Sequence, residues 1–160
     1  MDIRLRPLRD EELPEFIAAL RGEYVRTLVA DAGMSKDDAE DKASADHASL
    51  FPDGRRKPNQ RIYLLEDGAT GERRGHLFWA ERQPPGLTTT RAFLYDIYIE
   101  EGSRGQGLGR RAMELLEAEV RDEGLPGIDL NVWGGNDPAR SLYRSLGFAE
   151  RSVFMSKELE

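Results

Sequence analysis

A glycine-rich segment carries the clearest chemical pattern in the sequence. It reads Arg-Gly-Gln-Gly-Leu-Gly over residues 104–109, and two more arginines, Arg110 and Arg111, follow directly. Because glycine has no Cβ, several backbone N–H groups can converge on one point in such a loop. A helix that begins there adds its free N–H groups and its partial positive charge. The segment therefore predicts an anion-binding loop, for which a pyrophosphate is the natural ligand.

Three phosphate-binding patterns compete for this loop. A P-loop ends in Gly-Lys-Ser/Thr, whereas arginines follow Gly109, so that pattern is excluded. A dinucleotide fingerprint can be matched to Gly107, Gly109 and Ala112, with Asp129 about 20 residues further on, but only one βαβ unit follows the loop. The third pattern, Arg/Gln-x-x-Gly-x-Gly, fits Arg104, Gly107 and Gly109. A glycine-rich turn that merely starts a helix is the alternative without a ligand.

The composition limits what else the chain can do. A chain of 160 residues, 39% of them hydrophobic, is long enough for one domain with its own core. Its net charge of −7 argues against a general nucleic-acid binder. Without cysteine there is no disulfide, thiolate metal site or Cys nucleophile, and two histidines are too few for most His-based metal sites. We therefore expect no metal.

Nothing in the sequence indicates a membrane or an export signal. The longest apolar stretch, residues 92–99, is interrupted by Asp96 and is far shorter than the ~20 residues that span a bilayer. The first six residues alternate apolar and charged side chains and lack the apolar core of a signal peptide. A cytoplasmic protein without a membrane partner is the expectation.

The elements that position the loop follow from hydrophobic periodicity and from turn residues. The predicted order is a strand from residue 3 to 7, helices over about 10–31 and 35–51, strands over 61–66, 75–82 and 92–99, a helix over about 108–123, a strand over 128–133, a helix over about 137–146, and a final strand over 148–159. Since residues 92–99 are apolar on both faces, we place this strand in the centre of the sheet.

These elements predict one α/β domain of the α+β type over residues 1–160. Residues 92–133 form a strand, the glycine loop, a helix and a strand, which is a βαβ unit with parallel strands. The two strands before this unit form an antiparallel hairpin. The result is a central mixed sheet that is flanked by helices on both faces.

A second set of motifs follows the glycine loop. Leu-Asn-Val at 130–132, Asn136, Ala-Arg-Ser-Leu-Tyr at 139–143 and Leu-Gly-Phe at 146–148 are joined by Tyr-Asp-Ile-Tyr-Ile at 95–99. Together they resemble the GNAT superfamily of acetyl-CoA-dependent N-acetyltransferases. The motifs span about residues 93–148, and the preceding order of elements extends the resemblance to nearly the whole chain. It implies a GNAT-like fold in which residues 1–90 mainly shape the acceptor site and 91–160 mainly bind acetyl-CoA.

The resemblance also implies which residues bind acetyl-CoA. In the family, the loop amides wrap the pyrophosphate. A bulged central strand splays from its neighbour, pairs with pantetheine and points an N–H at the thioester carbonyl. Asn136 takes the position of a cofactor contact and is also a plausible helix N-cap. The implied cofactor-binding residues are Ile97, Tyr98, Ile99, Arg104, Gly105, Gln106, Gly107, Leu108, Gly109, Arg110, Asn136 and Tyr143.

Two residues are the catalytic candidates. Tyr143 takes the family's general-acid position, although it lies on an apolar helix stripe and could be a core tyrosine with a bonded hydroxyl. Asp96 is the candidate base because it is a carboxylate within an apolar strand; a structural hydrogen bond is its alternative role. Glu100 or a water molecule are the alternative bases. His47 and His76 look solitary in the sequence, so we expect them to be ordinary core or surface residues.

The acceptor is less defined than the cofactor. The first two helices, over about 10–51, and the loop at 83–90 correspond to the family's acceptor-shaping segments. The second helix is acidic and could attract a cationic amine, although a solvated face explains the same charges. Candidate lining aromatics are Tyr24, Tyr95, Tyr98 and Trp133. The acidic residues are Asp37, Asp38, Glu40, Asp41 and Asp46.

The function predicted from these observations is acetyl transfer from acetyl-CoA to a primary amine of a small molecule, peptide or protein. Attack would be direct, in a ternary complex, because no Cys nucleophile or Ser-based triad is evident. A non-catalytic acyl-CoA sensor on the same fold is the alternative, and a nucleotide binder is a third hypothesis. An exposed edge strand near Ile3 or after Phe148 could pair two copies into a homodimer.

Overall fold

A mixed sheet flanked by helices forms the protein. The computed structural model describes residues 2–160. Its elements are β1 (Ile3–Pro7), α1 (Leu13–Ala30), α2 (Lys36–Leu50), β2 (Gln60–Asp67), β3 (Arg73–Arg82), β4 (Arg91–Ile99), α3 (Leu108–Asp122), β5 (Ile128–Leu130) and α4 (Asp137–Ser145), with 3₁₀ turns at Asp10–Glu12, Pro52–Gly54 and Glu101–Ser103.

The five strands lie in the order β1-β2-β3-β4-β5. The pairs β1–β2, β2–β3 and β3–β4 are antiparallel, whereas β4 and β5 are parallel and are joined through α3. This arrangement confirms the mixed sheet and the βαβ unit. It also corrects one prediction: the middle strand of the sheet is β3, whereas β4, which contains residues 92–99, lies between β3 and β5. Residues 92–99 are apolar because helices cover both faces of the sheet there.

Helices pack on both faces, as predicted. On one face, the apolar stripe of α3, which includes Leu108, Met113 and Leu116, packs against Leu77 and Trp79 of β3. On the other face, Leu13, Phe16 and Leu20 of α1 join Ile62 and Phe78 in a second buried cluster. In α2 the buried residues are Ala39, Ala43 and His47, so its small apolar face lies inward and most of its acidic residues are exposed.

Two terminal strand predictions are wrong. Strand β5 stops at Leu130 rather than Trp133, and the chain then turns until Gly135 packs against the backbone of Asp31. No strand forms in residues 148–159, where Phe154 and Met155 are exposed. A run of β-favouring residues becomes a strand only when a neighbouring strand takes up its hydrogen bonds, and this segment has no such neighbour.

The start of the first helix also differs slightly. Residues 10–12 form a 3₁₀ turn, and the α-helix begins at Leu13 with Pro14 in its first turn. The second helix begins after Ser35, whose hydroxyl accepts a hydrogen bond from the Asp38 N–H at 3.2 Å, as a capping residue does. Within residues 2–160, no helix has the length and apolar character needed to cross a bilayer.

Candidate active site

Strand β4 is paired on both sides only in its first part. Its residues Ala92, Phe93 and Leu94 align with β5, and the Ala92 N–H also donates to the Gly127 carbonyl at 3.0 Å. Beyond Leu94, β4 continues to Ile99 against β3 alone, because β5 ends at Leu130. A gap therefore opens along the β5 side of residues 95–99.

A β-bulge lies where the gap begins. Trp79 aligns with Leu94 and Phe78 aligns with Asp96, so Tyr95 is an extra residue in β4. The side chains of Tyr95 and Asp96 consequently lie on the same face of the sheet. The Tyr95 ring stacks on Phe78 at 4.9 Å between centroids, whereas Leu94 packs on the opposite face, against α3. A bulge commonly redirects side chains in this way next to functional sites.

The alternation of hydrogen bonds along β4 shows which of its main-chain groups face the gap. The Glu100 N–H donates to the Arg74 carbonyl at 2.9 Å, so this residue's backbone faces β3. Because successive residues face opposite sides, the Tyr98 backbone also faces β3, and those of Ile97 and Ile99 face the gap. Of the three predicted main-chain contacts, two therefore have their polar groups in the gap. The third, Tyr98, can contribute only its side chain there.

The glycine loop lies at the carboxyl end of β4. Gly105 and Gly107 have φ values of 73° and 76°, which favour glycine, and Gly107 is the N-cap of α3. Because glycine has no side chain, no residue caps the first N–H groups of α3 from this position. Leu108 is buried and anchors the helix, whereas Arg104 to Gly107 are exposed. The backbone amides at this turn are thus available to an anion.

Two arginines frame the loop. The Arg104 Nε donates to the Ile99 carbonyl at 2.9 Å, and its guanidinium carbon lies 5.5 Å from the centre of the Tyr98 ring. Arg110 donates to the Ser145 hydroxyl at 2.5 Å and so ties α3 to α4. Both positive charges therefore lie at the end of the gap that holds the glycine loop.

Helix α4 forms the other wall of the gap. Asn136 is its N-cap, since the side-chain oxygen accepts from the Ala139 N–H at 3.2 Å. Gly109 allows α3 and α4 to approach closely, because a Cβ there would lie 3.3 Å from Leu142. The half-buried Tyr143 ring packs 5.6 Å from that of Phe148.

Tyr143 and Asp96 interact electrostatically. Burial, followed by the negative charge of Asp96, raises the pKa of Tyr143 to about 12. No hydrogen bond within residues 2–160 contributes to this shift, so the hydroxyl is not tied to the core in the way the alternative role required. The two predicted catalytic residues, one on β4 and one on α4, therefore lie within electrostatic range of each other.

His76 is the residue that the sequence analysis missed. Its Nε2 contacts Oδ2 of Asp96, so its prediction as a solitary residue is wrong. The imidazole is buried, with 1% of the side chain exposed, whereas 30% of the Asp96 side chain is exposed. Gly75 allows this approach of the strands, because a Cβ there would lie 1.9 Å from the Tyr98 carbonyl oxygen. A glycine directly before a polar residue in an apolar strand was the available sequence signal.

The remaining candidates have other partners. The Glu100 carboxylate lies 3.1 Å from the Nε of Arg73, so this alternative base is engaged in an ion pair. His47 is buried in α2, where its Nδ1 donates to the Ala43 carbonyl at 3.0 Å and burial lowers its pKa. Among the predicted aromatics, the Tyr24 hydroxyl donates to Asp46 at 2.7 Å. All four candidate acceptor-lining aromatics are half-buried. No group of metal-ligating side chains is present in residues 2–160.

Comparisons with known proteins agree with this arrangement. A family model for the acetyltransferase (GNAT) family matches residues 10–148. YycN of Bacillus subtilis, an uncharacterised N-acetyltransferase, is 28% identical over 99% of this chain and 100% of its own length. A mycothiol acetyltransferase from Thermomonospora curvata is 30% identical, and the match covers 92% of this chain but 51% of that protein.

Solved structures show the same fold. The crystal structure of YycN superposes with a TM-score of 0.87, covering 99% of each chain. A predicted acetyltransferase from Clostridium acetobutylicum, crystallised with acetyl-CoA, has a TM-score of 0.61 at 15% identity, covering 98% of this chain and 96% of its own. The family model spans most of the chain, including the glycine loop and the motifs of residues 130–148. The chain belongs to the GNAT family of acetyltransferases.

Proposed function

We propose that this acetyltransferase moves the acetyl group of acetyl-CoA directly to a primary amine within a ternary complex. One observation carries the proposal: the gap beside residues 95–99 has an exposed glycine loop at its end, unpaired main chain along its side, and Asp96 and Tyr143 interacting across it. Each of these features supplies one requirement of acyl transfer. They are an anchor for the cofactor, a hydrogen-bond donor for its carbonyl, and an acid–base pair.

Acetyl-CoA binds along the open side of β4 in this proposal. The amides of residues 105–110, with Arg104 and Arg110, hold the pyrophosphate, and the main chains of Ile97 and Ile99 pair with pantetheine. An N–H that faces the thioester carbonyl stabilises the developing oxyanion, an effect worth about 2.7–4 kcal/mol where it has been measured in other enzymes. Arg104 would leave the Ile99 carbonyl, which its Nε contacts in the structure, and turn toward the phosphates.

Asp96 acts as the base and Tyr143 as the acid. The cationic amine gives one proton to Asp96, its neutral nitrogen attacks the thioester carbon, and the C–S bond breaks as Tyr143 protonates the departing thiolate. The second proton of the nitrogen then restores Tyr143, and Asp96 passes its proton to solvent. A pKa of about 12 keeps Tyr143 protonated at neutral pH. Because the Asp96 charge contributes to that pKa, proton uptake by Asp96 makes Tyr143 a stronger acid at the step that needs one.

The acceptor amine approaches from the side of α1 and α2. The bulge keeps Tyr95 on this face and turns Asp96 toward it, and α2 adds a row of exposed carboxylates. A negative surface favours the approach of a cationic amine. The acceptor is a primary amine of a small molecule or of a peptide.

The test is a screen for thiol release from acetyl-CoA with polyamines, amino acids, aminoglycosides and short peptides. We expect turnover with at least one class, and a loss of about 10²–10⁴-fold in kcat for Asp96→Asn on that acceptor. Turnover undiminished in Asp96→Asn would remove this base from the mechanism. Binding of acetyl-CoA with no turnover on any amine would favour an acyl-CoA sensor instead.

A further inference from the structure

We infer that His76 is a positioning residue for the base: its imidazole holds the Asp96 carboxylate in the orientation that receives the proton of the amine. The inference rests on the proposed function, in which Asp96 is that base. It assigns a role to a side chain on β3, a strand that contributes none of the residues expected from the site motifs.

The imidazole is held rigidly. Its ring stacks on Tyr98 at 5.4 Å with an angle of 21° between the planes, and Phe16 of α1 meets it edge-on at 5.0 Å. With 1% of its side chain exposed, His76 has no space in which to rotate. The ring therefore fixes the direction of Nε2, which contacts Asp96 Oδ2 across the strand pair.

Hydrogen-bonding rules assign the proton on this ring. An ionised carboxylate only accepts hydrogen bonds, so Nε2 carries the hydrogen and donates it to Asp96. The other ring nitrogen, Nδ1, is buried without a hydrogen-bond partner in the part of the chain that the structure describes. A proton that reached Nδ1 would find no protein group to receive it. His76 therefore orients the base and does not relay the proton onward.

The contact leaves Asp96 free to react. Oδ2 is bound to His76, and within residues 2–160 no hydrogen bond is made to Oδ1. The Asp96 side chain is 30% exposed, so Oδ1 can meet an amine while Oδ2 is held. A carboxylate fixed by one oxygen loses less rotational freedom when the substrate arrives, which favours reaction.

Core packing alone does not explain a histidine at this position. A buried nitrogen without a hydrogen-bond partner costs stability, and an apolar side chain of similar size would not carry that cost. Phe78, two residues further along the same strand and face, is such an apolar residue and is also buried. The property that His76 has and Phe78 lacks is the donor directed at Asp96.

The experiment compares kcat, KM and pH–rate profiles of five variants, one of them a double variant, using an acceptor on which the wild type turns over. His76→Leu removes the donor, and we expect kcat to fall about tenfold while KM for acetyl-CoA stays within about twofold. Loss of this hydrogen bond to the Asp96 carboxylate should also move the acidic limb of the pH–rate profile to higher pH. His76→Gln keeps an amide N–H at the position of Nε2 and should restore most of kcat.

Titratable groups on four elements lie around Asp96, and each of them can affect the acidic limb of the pH–rate profile. They are His76 on β3, Tyr98 on β4, Tyr143 on α4, and His47 on α2, whose charge interacts with Asp96. Phe78→Leu is the matched control, because it removes a buried ring that lies opposite Asp96 on the same face but takes away no hydrogen bond and no titratable group. It should lower the melting temperature and leave the acidic limb in place.

A double-mutant cycle separates this inference from the proposed function. If His76 acts through Asp96, adding His76→Leu to Asp96→Asn causes no further loss of kcat. Losses of kcat that add in the double variant would overturn the positioning role alone. A wild-type kcat and pH profile in His76→Leu, when Asp96→Asn is inactive, would overturn it as well. Activity retained in Asp96→Asn would instead refute the proposed base. If His76→Leu does not fold, His76→Asn, whose amide is too short to reach Asp96, provides the same comparison against His76→Gln.

Discussion

The two edges of the sheet differ in how completely their strands pair. At one edge, every residue of β1, from Ile3 to Pro7, aligns with a residue of β2. The arginine side chains of β1 are also paired with β2, since Glu66 accepts hydrogen bonds from Arg4 at 3.1 Å and from Arg6 at 2.5 Å. At the other edge, β5 meets only three residues of β4 and leaves residues 95–99 without a partner on that side.

This difference is the basis of the proposed ligand site. Between β1 and β2, the facing main-chain groups are paired along the whole of β1, which contributes to stability and leaves no gap between the two strands. At the β4–β5 edge, the main chain of residues 95–99 has no partner strand on the β5 side, and the Tyr143 hydroxyl has no hydrogen-bond partner among residues 2–160. The predictions below place the same chemical change at both edges, so that effects on activity and on stability can be separated.

The largest difference is expected from two tyrosine substitutions. Tyr143→Phe should cut kcat at least about tenfold while acetyl-CoA affinity is kept, because only the acid is removed. Tyr63→Phe makes the same change on β2, where the hydroxyl donates to Glu119. It should lower the melting temperature and leave kcat unchanged. Steady-state kinetics and thermal unfolding of both variants measure the contrast, and wild-type turnover in Tyr143→Phe would remove the tyrosine from the mechanism.

A smaller difference is expected from two glycine substitutions. Gly107 and Gly71 have φ values of 76° and 72°, so alanine at either position imposes a strain of about 1 kcal/mol. Because Gly107 is in the proposed phosphate loop, its alanine variant should also bind acetyl-CoA about tenfold more weakly. Gly71→Ala, in the turn between β2 and β3, should leave that affinity unchanged. Calorimetric titration with acetyl-CoA measures the affinity of each variant. Equal affinities of Gly107→Ala and Gly71→Ala would contradict the assignment of the glycine loop as the phosphate-binding loop.

The smallest effect concerns stability in acid. Hydrogen bonds from Arg6 and then Arg9 lower the pKa of Glu12 from 4.5 to about 2. Its contribution to folding is therefore complete above pH 4.5 and is lost as the pH falls from 4.5 to about 2. Glu12→Gln should melt slightly below the wild type at pH 7, and the difference should shrink across that interval. Glu40→Gln, an exposed α2 residue, serves as the control that changes neither curve.

Most of the fold could be predicted from the sequence because its elements carry strong local patterns. The stripe of α3, the Ser35 cap of α2 and the turn at Gly107 depend on residues close to one another in the chain. Strand β5 and the segment at 148–159 were misjudged because a strand depends on a partner that local residues do not specify. The apolar, β-favouring residues after Phe148 are instead exposed.

The site was predicted in part for a similar reason. Continuing the register from the pair Arg82 and Arg91 without a bulge would set His76 opposite Ile97, with Asp96 on the other face of the sheet. The extra residue at Tyr95 shifts this register by one and brings His76 and Asp96 to the same face. The resemblance implies a bulge in this strand, but its position follows only from the pairing of two strands that are far apart in sequence.

Amide hydrogen exchange with and without acetyl-CoA tests the central claim most directly. If acetyl-CoA binds along the unpaired part of β4, the amides of Ile97, Ile99 and residues 105–110 should exchange more slowly when it is present. The amides of β1 and β2, which are already paired, should change little. Protection confined to other segments, or none at saturating acetyl-CoA, would contradict the claim that the incomplete β4–β5 pairing forms the active site.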